Sequence, residues 1–561
     1  MTPKQFVKAF AKHGSVKAVA RNESMTYQNA RKAYIAAVDT GLMAPLRVGA
    51  KRREAHKNPA SVTPTGQLKV TKTTFIPSPP EGKTNVFIFS CIQNDTLLHE
   101  PLWENVQALL KHYQRRKNVN SAQLHIARFT YVKRGLGATG DKALIVKKET
   151  LYGGHEMTFA KKCEPYISDY RLEVANGLVW CGETNTLPTA IRPLSGFESY
   201  TGRKSGIFPH VKVAMDSVAS MASEATKFNY TTGALTQRNY IQKKAGFKGE
   251  FHHCYGALLV EVDSSGAWWC RHLTADNAGT IYDLDLRVKN GVVEKGQFID
   301  TIVWGDVHVA IADKENWDVC WGKGGMLDTL KPKRQIIHDI LDMRARSHHE
   351  VKDPVKRFKR YWQDTESVEE ECRAVTKALQ GELERDWCST HVVDSNHHRH
   401  LGRWLAEQDG RFDPINARFW ISMWDSVYEC VQFAPHAEPN YLALALSKTG
   451  YYGRAHILSK DESLVVCPDA EGGIELGLHG DIGPNGSRGS PQAYARMGRK
   501  MVVAHSHKAG ITDGVYVVGT STDLHPDYCW GPGAWSHTHC VIYENGKRAL
   551  VTVWKGRYRA T

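Results

Sequence analysis

Apolar positions in residues 1–43 recur at helical spacing in three short runs. Phe6, Val7, Phe10 and Ala11 follow Thr2-Pro3, a capping residue and a first-turn proline, and Gly14 ends the run. Val16, Val19 and Ala20 mark a second helix. Tyr27, Ala30, Tyr34 and Val38 mark a third, which starts near Thr26 and closes at Gly41. Residues 44–84 lose all periodicity and are rich in Pro, Thr and Lys, the composition of a flexible linker. Over residues 85–295 the pattern changes again. Val86-Phe87-Ile88-Phe89 is a buried-strand run, Leu102 to Tyr113 an amphipathic helix, and Leu124 to Val132 a further strand, a βαβ start. Ala257 to Asp263 and Trp268 to Leu273 flank Ser264-Ser265-Gly266. Tyr282 to Val288 and Val292-Val293 flank Lys289-Asn290-Gly291. Both read as hairpins. From residue 296 to 561, strands and helices alternate, with a long charged helix expected from Asp353-Pro354 to about Arg385. The fold class is therefore α/β, in units 1–43, 44–84 (linker), 85–295 and 296–561.

Charge sharpens the reading of the first unit. The net charge is +14, and residues 1–60 hold 12 Lys/Arg against 3 acids, so most of the excess sits there. Three helices with that charge resemble a helix-turn-helix whose third helix enters a DNA major groove. Lys17, Arg21, Arg31 and Lys32 are the candidate contacts, and Lys51, Arg52 and Arg53 in the linker would touch phosphates without sequence preference. The other reading of this unit is a small bundle that binds protein or assembles the oligomer. The 12 cysteines form no CxxC pair, and no run of 18 apolar residues occurs. These features favour a reduced compartment, the cytoplasm, with no membrane segment.

The chemistry lies in the last 260 residues, where the chain's 26 histidines concentrate. Five apolar runs each end in ligand-type residues: Asp306 and His308; Asp339, in an Asp-x-x-Asp reaching Asp342; Asn396 and His397; His479; His505 and His507. In an α/β sheet, strand ends on one edge converge on a crevice. Mixed carboxylate and imidazole donors suit Mn, Fe or Zn.

The order Asp-x-His, Asp-x-x-Asp, Asn-His, His, His-x-His resembles the calcineurin-like metallophosphoesterase family. That resemblance implies a β-sandwich flanked by helices and two divalent ions, Mn²⁺ first, with Mg²⁺, Fe or Zn as alternatives. It implies that Asp306, His308 and His507 bind one ion, that Asn396, His479 and His505 bind the other, and that Asp339 bridges them. His397 would be the general acid. The sequence departs from the family pattern at Ser395, His338 and Ala504, each in place of a glycine. It also departs at His398, in place of the acid that usually orients the catalytic histidine, and Asp394 is the candidate replacement. Arg488, in the loop Gly483 to Ser490, is a candidate phosphate contact. His348, His349, His398 and His400 could extend the metal site or bind phosphate, though surplus histidines of this kind more often belong to the surface or the outer site, and His537 and His539 read as a loop.

Site and basic helical unit together point to a two-metal-dependent DNA nuclease acting as a homo-oligomer. The layout resembles a DNA-transfer nuclease of tailed phages, which would act in the host cytoplasm. A phosphoprotein or small-molecule phosphatase, or an inactive DNA-binding protein, are the alternatives. Residues 85–295 carry no readable chemistry.

Overall fold

The computed structural model describes residues 1–13, 15–40, 42, 73–131, 158–470, 472–526 and 529–560. The chain divides into two compact units, Met1–Thr71 and Lys72–Thr561.

The small unit has helices α1 (Pro3–His13), α2 (Val16–Asn22) and α3 (Tyr27–Asp39). Each begins with a hydroxyl that accepts from an otherwise unpaired backbone N–H. Gln5 N donates to Thr2 Oγ1 (3.3 Å), Ala18 N to Ser15 Oγ (3.1 Å) and Asn29 N to Thr26 Oγ1 (3.3 Å). The helices bury Phe6, Ala9, Val19, Ala20, Ala30, Ala33 and Ala37. The inner face of α3 is thus the alanine row, not the expected Tyr27 and Val38, because small side chains let helices pack closely. Tyr27 is 55% exposed instead. Arg21, Arg31 and Lys32 are exposed. The side chain of Lys17, and Lys51, Arg52 and Arg53, lie outside the described residues.

The large unit opens with the expected βαβ. Strands Thr84–Gln93 and Val119–Phe129 pair in parallel across helix Glu100–Gln114. Strands Gly256–Asp263 and Trp268–Thr274 form a hairpin and complete a four-stranded sheet. The second hairpin joins Leu286–Lys289 to Val292–Lys295, with Asn290 and Gly291 both at positive φ (52° and 73°). That is the backbone a tight two-residue hairpin turn demands.

Five strands carry the ligand-type motifs: β1 (Ile299–Val303), β2 (Arg334–Ile337), β3 (Ser389–Val392), β4 (Ile474–Glu475) and β5 (Lys500–Val503). The first three lie side by side and parallel in a six-stranded sheet, in the order β3-β2-β1. The last two are parallel neighbours in an 11-stranded sheet. The ligand strands therefore belong to two sheets rather than one. The sheets share one core: Val303, Ile336, Cys540 and Ile542 from the first meet Ile474, Val502, Ile511 and Tyr516 from the second. The other face of the six-stranded sheet packs against helices through Ile302, Ile337, Val392 and Val541. A sheet pair covered on one side by helices is a stable way to bury apolar strand faces.

The 11-stranded sheet also crosses the boundary expected at residue 295. Strand Met215–Val218 pairs antiparallel with Gly510–Thr512, so residues from both expected domains build one sheet. The long charged helix is likewise two helices, Pro354–Trp362 and Val368–Ala378. Asp364 turns the chain at φ 54°, and Ser367 Oγ caps the second helix by accepting from Glu370 N (3.1 Å). Among the described residues no helix is long and apolar enough to cross a membrane.

Candidate metal centre

Backbone hydrogen bonds zip the motifs together before any side chain is considered. Val307 N and His308 N donate to the carbonyls of His338 (3.0 Å) and Asp339 (2.7 Å). Val393 N donates to Ile337 O (3.0 Å), and Ala504 N to His479 O (2.6 Å). Gly305, just before Asp306, lies so close to Gly519 and Thr520 that a Cβ would sit 2.6 Å from Thr520 N. The tips of the strands leave regular geometry: His308, Asp339, His505 and His507 all have positive φ (40°, 45°, 68° and 55°). Non-glycine residues held there cost of order 1–3 kcal/mol each and gather at functional sites.

The side chains converge. Asp306 Oδ2 lies 2.9 Å from His507 Nε2, and Asp306 Oδ1 lies 3.8 Å from His479 Nδ1. Asp339 Oδ2 is 3.1 Å from His479 Nε2 and 3.6 Å from His308 Nε2. Among the described residues, four sets of three ligand atoms come within 4.8 Å of one another: Asp306, His308 and His507; Asp306, Asp339 and His479; His308, Asp342 and His397; and His348, His349 and His400. The ring of His505 lies 5.2 Å from that of His479. Asn396 is the first residue of helix Asn396–Glu407, which Ser395 caps by accepting from His398 N (3.3 Å), and its Oδ1 is buried without a hydrogen-bond partner.

The electrostatics set buried carboxylates against imidazoles. Asp306 and Asp339 are buried, and only imidazoles lie within ion-pair distance of them among the described residues. Burial alone would raise the carboxyl of Asp306, but His479 and His507 hold it down to about 2. Burial opposes, and His479 and His397 outweigh, so Asp339 falls well below the ordinary carboxylate value. His479 shows the reverse: burial would lower it, yet Asp339 and Asp306 raise it to about 9. Asp306 Oδ1, Asp339 Oδ1, Asn396 Oδ1 and His507 Nδ1 are buried acceptor or ring atoms with no hydrogen-bond partner. Buried polar atoms are normally satisfied, so several orphans in one place fit an ion-binding site. Oxygen and imidazole donors of this kind suit a pair of borderline divalent ions.

Asp342 is the buried acid at the cluster that sequence reasoning left without a role. Its Oδ1 lies 3.1 Å from His397 Nδ1 and 3.2 Å from His308 Nδ1, and its carbonyl lies 2.8 Å from His397 Nδ1. Burial would lower the imidazole of His397, but Asp339 and Asp342 raise it to about 10. Asp394, the expected orienting group, is instead held by Arg399 (Nη1 to Oδ2, 2.6 Å), which also pairs with Asp481. The signal that could have found Asp342 was the second acid of Asp-x-x-Asp. His398, in the position of the family's usual acid, is buried and accepts from Ile340 N (3.1 Å), bracing the loop that carries Asp339. Arg488 is exposed, in a loop tied back to Asp481 by Gly489 N (2.8 Å). His537 and His539 stand apart from the cluster. His539 lies within strand Thr538–Tyr543, not in a loop, and accepts from Gly305 N (3.0 Å), while His537 Nε2 lies 2.8 Å from Thr522 O.

Comparison with known proteins adds one relative. Protein A1 of Escherichia phage T5 is 33% identical over 486 residues, covering 84% of this chain and 83% of that protein. The chain belongs to the phage T5 protein A1 family. A match of that extent must run through most of the Lys72–Thr561 unit, so the likeness to this phage protein includes much of the sheet pair that carries the centre. No protein-family model and no solved structure matches the chain.

Proposed function

We propose that the chain is a two-metal phosphodiesterase of the metallophosphoesterase type that cleaves DNA. One observation supports the hydrolytic reading: two buried aspartates at the tips of neighbouring strands have only imidazoles within ion-pair distance among the described residues, and those imidazoles come from other motif strands. Asp306, His308 and His507 would hold one divalent ion, Asn396, His479 and His505 the other, and Asp339 both. Ions bound there would supply an activated water and neutralise charge on the phosphoryl oxygens.

The protein's own groups then have separate tasks. Asp342 fixes Nδ1 of His397 through carboxylate and carbonyl contacts. That leaves Nε2 as the nitrogen able to give a proton to the departing sugar oxygen. His398 steadies the Asp339 loop through Ile340 N. DNA is favoured as the substrate because most of the net charge of +14 lies in the first 60 residues, where 12 Lys/Arg stand against 3 acids and Arg21, Arg31 and Lys32 are exposed.

The full chain should nick or degrade supercoiled plasmid with Mn²⁺ and be inert after chelation. Asp339→Ala should abolish the cutting while the circular-dichroism spectrum is retained. Turnover of a chromogenic phosphomonoester with plasmid left intact would overturn the DNA assignment. Wild-type cutting by Asp339→Ala would overturn the metal centre.

A further inference from the structure

Beside the centre lies a second group of histidines with no task in the chemistry above. His348 and His349 follow the Asp339–Asp342 segment, and His400 sits one turn after His397 on helix Asn396–Glu407. Their rings lie 3.8 Å (His348–His349), 4.6 Å (His348–His400) and 6.0 Å (His349–His400) apart, and His400 lies 5.0 Å from the ring of His397. Three imidazoles this close suggest a metal at first sight. The hydrogen bonding argues otherwise. Arg403 Nη1 lies 2.7 Å from His348 Nε2. A guanidinium can only donate, so Nε2 accepts and the proton of a neutral ring sits on Nδ1. That Nδ1 is buried and has no partner, as is Nδ1 of His400. The Arg403 contact requires a neutral His348 ring, and burial lowers its pKa in the same sense and lowers that of His400 to about 3. The group thus offers an unspent buried N–H on His348 beside the half-exposed guanidinium of Arg403, whose Nε also pairs with Glu407 (3.5 Å) on the solvent side, next to the candidate acid. His348 has spent its lone pair on Arg403 and a guanidinium only donates, so although the three rings bring ligand atoms within 4.8 Å of one another, these two groups present donors, which suit an anion.

We propose that His348, His349, His400 and Arg403 form a subsite for a phosphate of the DNA strand adjacent to the one being cleaved. The proposal rests on the phosphodiesterase reading. Hydrogen bonds to a charged group are worth about 1.5–3 kcal/mol, so losing the Arg403 contact should cost about tenfold or more in affinity.

The test uses the full chain with Mn²⁺ and two substrates: a chromogenic phosphodiester with one phosphate, and an oligodeoxynucleotide. Arg403→Gln and, separately, His349→Gln should raise KM for the oligonucleotide with kcat nearly unchanged. Both should leave the one-phosphate diester unaffected, and Arg403→Lys should recover part of the loss. Unaltered oligonucleotide KM in both variants, with wild-type turnover of both substrates, would sink the subsite alone. Equal loss on both substrates would show a structural effect and overturn it too. If the wild-type chain hydrolyses neither substrate, the phosphodiesterase reading itself fails. Zinc titration of the full chain supplies the remaining outcome. One more bound equivalent in wild type than in His349→Gln would mark a metal site and refute the anion assignment.

Discussion

His397 draws its importance from the two contacts on one of its nitrogens. Asp342 holds Nδ1 by carboxylate and carbonyl, which fixes the ring in the orientation the proposed general acid needs. Removing a positioned general acid typically costs 10²–10⁴-fold in rate. His397→Ala is therefore expected to lower plasmid turnover by about that factor while the bound metal, read by elemental analysis, stays at the wild-type level. Asp342→Asn should move turnover in the same direction, and Asp394→Asn should leave it near wild type. Equal losses in the two aspartate variants would return the orienting role to Asp394. The sequence could not separate these acids. Both lie near His397 in chain or motif order, and only the fold reveals that Arg399 occupies Asp394 while Asp342 turns inward. The ligand-type residues were legible because a strand tip announces itself: an apolar run followed at once by Asp, Asn or His.

Secondary elements with a strong period were legible as well. The hairpin turn at Asn290-Gly291 and the βαβ at the start of the large unit follow from turn chemistry and alternation. The break at Asp364 was hidden because charged residues continue on both sides of it and mask the Ser367 cap. One element contact is of energetic interest. Arg271, buried on strand Trp268–Thr274, bonds Glu261 on the neighbouring strand (2.9 Å) and Asp283 on strand Ile281–Asp283 (2.6 Å). Tyr113 Oη donates to the same Asp283 (2.5 Å). Breaking a buried pair by removing one partner costs about 3–5 kcal/mol, because the remaining charge is stranded. Arg271→Met is expected to lose stability of that order in urea unfolding. Burial would raise the carboxyl of Asp283, but Arg271 and Tyr113 hold it below its ordinary value of 3.8. A depressed folded-state pKa stabilises above the unfolded value and is lost as pH falls through the folded one. The Asp283 contribution should thus be complete above about pH 4 and fade below it. Asp283→Asn should flatten that acid limb, and an unchanged limb would remove Asp283 from the account.

Across the whole molecule, the boundary at residue 295 was illegible because the strands that cross it, Met215–Val218 and Gly510–Thr512, are short and distant in sequence. No periodic signal announces such a pairing. Its consequence is that residues 85–295 help to hold the sheet bearing His479, His505 and His507. The small helical unit is different: it folds on its own core and carries much of the positive charge. Each phosphate neutralised by a lysine or arginine contributes about −0.9 to the slope of log affinity against log salt. If Arg21, Arg31 and Lys32 meet the backbone of DNA, replacing all three by Gln should shallow that slope by about 2–3 at the same metal content. The measurement is fluorescence anisotropy of a labelled duplex over a salt series, with Ca²⁺ in place of Mn²⁺ to suppress cutting. The one-phosphate diester should be hydrolysed as before, since the centre is built wholly from the large unit. An unchanged slope would leave the helical unit without a role on DNA and move the search for its partner to protein surfaces.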